Sequence, residues 1–367
     1  MIEQRRPPLV EQVIDAGAAE VAAENPIDEL FSMREVACLD VDESEPEAFL
    51  LGDYGQLTVV SNPGARRAAQ APKITAALRE FGVDRKLKVV TEVTSKHLNE
   101  NIGMLGQSLP EDGILVVIAG DGGASEMFEA MREGGYENPV LVVGNGNKID
   151  IARQLLERRH RQHPEQALPV AVTRRLHPIL VRAALGDGTQ LERGAYAYVS
   201  RGVSSAVAHD VTTDEYRKKR ENDVLGERFV NERWITIRDY LQTESFRVQQ
   251  GTQPSQPRID VIAANGSSMA GTFRPRADLL EPGFRLIEVR NKLVGTTAIG
   301  GLLAGAPVGR DVSPGESVEM NMSYTPNAVL QIDGEIYRLV GDTVLNLSVA
   351  TDGVNVLTTR GIKKPRH

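Results

Sequence analysis

Three short turns hold the residue types that phosphate binding needs: Asn62-Pro63-Gly64, Gly120-Asp121-Gly122-Gly123 and Gly144-Asn145-Gly146-Asn147. Glycines let backbone N–H groups approach an anion closely, and a helix that begins there adds positive potential. Asp121 repels phosphate directly. It is better suited to a cation that itself binds phosphate, or to a hydrogen bond with a ribose or backbone group. Arg66 and Arg67, just past the first turn, either neutralise phosphate charge or line a solvated helix face. Far downstream, Gln331-Ile332-Asp333-Gly334-Glu335-Ile336 sets two carboxylates two residues apart. In a strand Asp333 and Glu335 share a face, whereas a glycine-centred turn presents both at its tip. An aspartate can deprotonate or orient a substrate hydroxyl, but on the residues alone a hairpin turn with exposed carboxylates is the better-supported reading.

Other chemistries are excluded. No Gly-x-Gly-x-x-Gly follows the first strand, and the chain has no Gly-x-x-x-x-Gly-Lys-Ser/Thr, so neither a dehydrogenase fingerprint nor a P-loop is present. Cys38 is the only cysteine, which rules out an intrachain disulfide and a cysteine metal site. Only His160 and His163 stand at a spacing reminiscent of metal ligands, and their basic, loop-like surroundings read as solvated.

The elements that must position these turns are legible from Gln56 onward. Apolar, β-branched runs at 57–60, 88–91, 114–118 and 140–143 alternate with helical stretches ending at Leu78, at 95–105, 124–131 and 149–159. The run Ile114-Leu115-Val116-Val117-Ile118 is continuous, as in a strand buried on both faces. Such alternation predicts an α/β domain with an open parallel sheet. In that architecture ligands lie beyond the carboxyl ends of the strands, where the three turns would meet. From about residue 166 the texture changes to many short strand candidates, among them 170–173, 179–182, 195–199, 246–248, 259–263, 286–289, 317–320, 329–332 and 344–349, which predict a β-sandwich. The division expected is an N-terminal appendage over 1–55, a nucleotide-binding α/β domain over 56–165 and a β-rich domain over 166–360, with the last strands returning toward the α/β domain. Helices are expected at 10–23 and 28–36, and a polar helix or loop at 213–222.

Of 367 residues, 41% are hydrophobic and 25% charged, a globular balance. The net charge is −8, yet residues 1–50, with thirteen Asp/Glu against three Arg, hold −10, so the remainder is close to neutral. The acidity belongs to the appendage, read as a solvated arm. No nucleic-acid partner is expected. No apolar run reaches the roughly 20 residues of a membrane helix, and no signal peptide is evident. A cytoplasmic chain is expected, with membrane contact limited to peripheral association.

The order of these motifs resembles the diacylglycerol kinase catalytic-domain family, which includes bacterial lipid kinases and sphingosine kinases and is distantly related to NAD kinase. The resemblance runs from about Gln56 to Leu357. The family's Asn-Pro-x-x-Gly corresponds to Asn62-Pro63-Gly64-Ala65, and its Gly-Gly-Asp-Gly-Thr-x-x-Glu to Ala119-Gly120-Asp121-Gly122-Gly123-Ala124-Ser125-Glu126. Its Pro-x-Gly-Thr-x-Asn-Asp-Phe-Ala-Arg aligns without gaps with the ten residues from Gly144 to Arg153, which include Asn145, Gly146, Asn147 and Asp150. Ala264-Asn265-Gly266, Met269-Ala270-Gly271, Pro275 with Ala277, and Asp333-Gly334-Glu335 follow in family order. The resemblance implies ATP and Mg²⁺ held by Asn62, Pro63, Arg66, Gly120 to Gly123, Glu126, Asn145 to Asn147 and Asp150. It also implies Asp333 as the base for an acceptor hydroxyl on a lipid such as diacylglycerol or a related amphiphile, with Glu335 in support.

The chain departs from the family at several positions. Gly123 and Asn147 replace threonines, Ala119 replaces glycine and Ile149 replaces asparagine. Gly202-Val203-Ser204-Ser205-Ala206 lacks the aspartate of Gly-x-Gly-Phe-Asp. These departures support a second reading, a non-catalytic relative that binds nucleotide or lipid. A third is a kinase of a soluble substrate, akin to NAD kinase.

Overall fold

A computed structural model of the chain describes residues 47–48, 51–63, 68–95, 97–145, 149–212, 235, 238–267, 274–275, 277–292, 295, 297 and 308–360. The helices expected at 10–23 and 28–36, the segment 213–222, Cys38, Gly64, Arg66, Arg67, Gly146, Asn147 and residues 269–271 lie outside them. The chain divides into two compact units, residues 1–44 with 210–238, and residues 45–209 with 239–367. The second unit holds nearly all the described residues.

In chain order its elements are β1 (Glu47–Ala48), β2 (Gln56–Ser61), α1 (Ala71–Arg85), β3 (Lys88–Val93), α2 (Leu98–Ser108), β4 (Gly113–Ala119), α3 (Asp121–Glu133), β5 (Val140–Gly144), α4 (Asp150–Leu155), α5 (Arg158–Gln162), β6 (Val172–Leu176), β7 (Ile179–Ala184), β8 (Gln190–Ala195) and β9 (Tyr198–Gly202). They continue with α6 (Val203–Thr212), β10 (Phe246–Gln250), β11 (Gln256–Arg258), β12 (Asp260–Ala264), β13 (Phe284–Val289), β14 (Arg310–Val312), β15 (Ser317–Met322), β16 (Val329–Ile332), β17 (Glu335–Arg338), β18 (Thr343–Val349) and β19 (Val354–Thr358).

The first sheet runs β1-β6-β19-β5-β4-β2-β3. Strands β3, β2, β4, β5 and β19 are parallel, while at one edge β6 joins antiparallel to β19 and β1 antiparallel to β6. β4 is buried along its whole length, as its continuous apolar run requires. The chain steps outward from β2 to β3, then crosses to the other side of β2 for β4 and β5. The strand order therefore reverses between β2 and β4, the position at which open α/β sheets form a ligand crevice.

Two antiparallel six-stranded sheets form the sandwich, β11-β10-β15-β18-β7-β8 and β14-β13-β12-β9-β16-β17. Its core interleaves Val181, Met320, Leu345 and Leu347 of one sheet with Val199, Val261, Leu286 and Leu330 of the other. Alternation sets the faces: in β15, Val318, Met320 and Met322 are buried and their neighbours exposed. The sandwich was expected to begin near residue 166, but β6 lies in the first sheet. The anticipated return of the last strands is β19, which pairs with β5 and β6. The helix expected over 149–159 is two helices, α4 and α5, separated by an extended Leu156.

β9 ends at Gly202, where φ is +116° and a Cβ would stand 2.2 Å from the Ile259 carbonyl oxygen, so only glycine fits. There α6 begins, and buried Asp260 caps it: Ser204 donates to Oδ2 from its N–H (3.1 Å) and its hydroxyl (2.5 Å). Burial pushes Asp260 up to about 7. Its folded value exceeds the unfolded one near 3.8, so the stability it contributes is complete below about pH 4 and is lost as pH rises through about 7. Asp260→Asn should therefore become more favourable relative to the parent between pH 5 and pH 8, by on the order of a few kcal/mol. Paired denaturant melts at the two pH values measure this, and a difference independent of pH would contradict it.

Candidate functional site

Strands β5, β4 and β2 are neighbours in register, with Ser61 opposite Ile118 and Ala119 opposite Gly144. Asn62, Gly120 and Asn145, which continue them, consequently lie side by side at one sheet edge. Asn62 leaves β2 with its N–H on the Ile118 carbonyl (3.3 Å), and exposed Pro63 comes next. Asn145 leaves β5 with its N–H on the Ala119 carbonyl (2.8 Å). Its side chain is 0% exposed, and neither amide atom has a hydrogen-bond partner among the described residues. An unpaired buried amide is unfavourable by about 1–3 kcal/mol.

The middle turn is tighter than expected. The helix was expected to start at Ala124. Instead α3 starts at Asp121, with extended Gly120 as its cap residue. Gly122 and Gly123 thus lie in the first helical turn, and each is approached closely. A Cβ on Gly122 would lie 3.3 Å from the Asp333 carbonyl oxygen. One on Gly123 would lie 3.0 Å from both the Ala119 Cβ and the Asn62 Nδ2. The departures at 119 and 123 are therefore sterically linked: the methyl of Ala119 occupies space beside the side chain that Gly123 lacks.

Asp121 is half-buried and caps the neighbouring helix. Its Oδ2 accepts the Asp150 N–H and its Oδ1 the Ile151 N–H, both at 3.0 Å. Ile149, at the cap position of α4, makes no side-chain cap bond, so Asp121 supplies that cap from another helix. Of the roles open to it in sequence, the structure shows the bond to backbone. Burial first, then the charge of Asp150, raise its pKa, and the two amide bonds oppose them. Asp150 is fully buried at the start of α4, and Glu126 is half-buried on α3.

The Asp-Gly-Glu motif reaches this edge from the sandwich. β16 and β17 form a hairpin whose two-residue turn is Asp333-Gly334, with φ of +49° and +92°, the Asp-Gly signature of a tight hairpin. The hairpin agrees with expectation, but the exposure expected of its carboxylates fails at Asp333, which is 2% exposed. Its Oδ2 accepts the Tyr196 N–H (2.6 Å), and its Oδ1 accepts those of Ala197 and Tyr198 (2.9 Å each). Burial still raises its pKa against these bonds. The same contacts explain why the strand expected over 195–199 is broken: the amides of 196 and 197 point at a carboxylate instead of a neighbouring strand. Glu335 is half in solvent, in an ion pair with Arg193, and accepts the Tyr337 hydroxyl (2.7 Å). It is committed to that trio.

Two residues at the site had no functional signal in the sequence, and a third was read only within a motif. Tyr198 lies in the field of Asp150, Asp121 and Asp333, and burial, ahead of those charges, raises its pKa well above the ordinary phenol value. Its oxygen accepts the Gln331 Nε2 (3.3 Å). Arg193 ties down Glu335. Asn265 was read only as part of a motif. Its Nδ2 donates to the carbonyls of His177 (2.9 Å) and Tyr196 (3.3 Å), while Ser267 donates its N–H to Gln154 of α4 (2.5 Å). The Asn265-Gly266 motif thus braces the back of the same site.

The linkage of positions 119 and 123 predicts a double-mutant cycle. Gly123→Thr should destabilise by about 1–3 kcal/mol through overpacking. Ala119→Gly in the same chain should recover part of that loss. Thermal melts of the four proteins measure the coupling, and strictly additive effects would contradict the contact.

No protein-family model matches the chain, and no curated protein sequence is similar to it. Solved structures are. A diacylglycerol kinase from Bacillus anthracis str. Sterne superposes with a TM-score of 0.58 at 12% identity, covering 84% of this chain and 99% of that one. Two further structures from the same organism, described provisionally as diacylglycerol kinases, give TM-scores of 0.55 and 0.56 at 11% and 12% identity, with the same coverage. The α/β domain followed by a β-sandwich is therefore the fold seen in bacterial diacylglycerol kinase structures.

Proposed function

We propose that the chain is an ATP-dependent kinase that phosphorylates a hydroxyl of a lipid or related amphiphile. The observation that supports this best is the seating of the Asp333-Gly334 turn on the first turn of α3, where Gly122 and the Asp333 carbonyl are in close contact. A helix start suited to phosphate and a candidate base thereby meet from two sheets. The leading N–H groups of α3 have no intrahelical acceptor and favour an anion. Three of the four lone-pair positions of the Asp333 carboxylate are taken by amides, and this reading assigns the acceptor proton to the fourth, beside the Ser125 hydroxyl. Burial raises the Asp333 pKa, which makes it a stronger base than an ordinary carboxylate. The fold shared with diacylglycerol kinase structures favours the same reading.

Mg²⁺ fits as an ion brought with the nucleotide. Among the described residues no group of three or more His, Cys, Asp or Glu could hold a metal, and Asp121 already accepts two amides. Mg²⁺ commonly uses one or two carboxylates together with phosphate oxygens and water, and Asp121 and Asp150 would stand nearest it. When bound it neutralises phosphate charge. No helix among the described residues is long and apolar enough to cross a membrane, and an amphiphilic acceptor would be met at a surface.

One observation favours the second reading, a binding protein without turnover. The Asp333 carboxylate is engaged by three N–H groups, as a purely structural carboxylate would be. Transfer of labelled phosphate from ATP across a panel of lipids decides between them. The kinase reading expects transfer to at least one acceptor and a loss of about 10²–10⁴-fold in Asp333→Asn, with ATP binding retained. No transfer to any acceptor, or transfer undiminished by the substitution, would sink it.

A further inference from the structure

Resting on that reading, we propose that Glu129 is a positioning residue. It fixes the turn that cages Asp333 to the same helix that begins at the phosphate site. Glu129 stands two helical turns beyond Asp121 on α3 and is 5% exposed. Its carboxylate is bonded on all sides. Arg132 donates to it through Nε (3.1 Å) and Nη2 (2.9 Å), Gly194 through its N–H (2.9 Å), and Tyr196 through its hydroxyl (3.2 Å). Gly194 has no side chain where this happens: a Cβ there would stand 2.6 Å from Glu129 Oε2. Arg132 is itself held by Asp352 at 2.9 Å.

Tyr196 joins the two halves. Its hydroxyl is on Glu129 while its own N–H is on Asp333, and its ring packs on Phe128, centroids 5.1 Å apart. Fully buried Ser125, one turn before Glu129 on the same helix face, lies beside the Asp333 carboxyl. One face of α3 thus sets both the loop that holds Asp333 and the helix start facing the nucleotide. Removing the charge of Glu129 releases Gly194 and Tyr196 and lets the three caging amides drift. Removing only the Tyr196 hydroxyl loosens the link while leaving the ring in place.

Hydrogen exchange with mass spectrometry on the full chain tests this without requiring activity. In Glu129→Gln the segment 194–198 should exchange roughly tenfold faster, with a smaller increase in Tyr196→Phe, while the core strand 114–118 is unchanged. ATP affinity by calorimetry should stay within about twofold while the transfer rate falls roughly tenfold. Unchanged protection of 194–198 in both variants overturns the proposal. So does a parallel loss of ATP affinity, transfer and protection at 114–118, since that marks a residue needed only for folding. If the parent chain transfers to no acceptor, the kinase reading fails, and the exchange comparison alone decides the positioning claim.

Discussion

Three consecutive backbone N–H groups, those of Tyr196, Ala197 and Tyr198, converge on one carboxylate, and much of the molecule is arranged around that fact. The bonds hold Asp333 in a left-handed conformation that aspartate tolerates only with local support. They interrupt what would be a continuous strand between β8 and β9. They also turn the β16–β17 hairpin so that its tip rests on Gly122. Charge-assisted bonds of this kind are about twice as strong as neutral ones, yet Asp333 remains harder to ionise than an ordinary aspartate because burial outweighs them.

The second constraint is crowding of like charge. Asp121, Asp150 and Asp333 act on one another and on the Tyr198 phenol. Asp121 moderates this by capping α4, and Glu129 is stabilised by Arg132: burial alone would raise its pKa, and the bonds to Arg132 reverse that. The arrangement would be relieved by a cation arriving with an anionic ligand, which is how nucleotide and metal commonly enter kinase sites. Buried Asn145, whose amide atoms have no partner among the described residues, lies at the same edge.

Much of the fold was legible because period and composition report burial. The continuous apolar run at 114–118 marks a central parallel strand, and alternation such as that in 317–322 marks the sandwich. What could not be read was anything set by partners distant in sequence. The strand at 195–199 looks unbroken until Asp333 captures its amides from more than a hundred residues away. The helix start at Asp121, rather than Ala124, brings two glycines against Asn62, Ala119 and the Asp333 turn. The shared sheet edge of the three phosphate-type turns was legible, because strand order is set by the geometry of βαβ units. The burial of Asp333 was missed, because an Asp-Gly hairpin looks the same whether its tip meets water or another sheet. Glu129 could have been suspected from its spacing of four and eight residues from Ser125 and Asp121, which shares a helix face, but nothing in the sequence names its partners Gly194 and Tyr196.

The most direct test of the account is a crystal structure of the chain with a non-hydrolysable ATP analogue and Mg²⁺. The account predicts the terminal phosphate at the first turn of α3, beside the Asp333-Gly334 tip, with the three amides still on Asp333. Nucleotide bound away from Gly122, or an Asp333 released from those amides and turned out of the site, would contradict it.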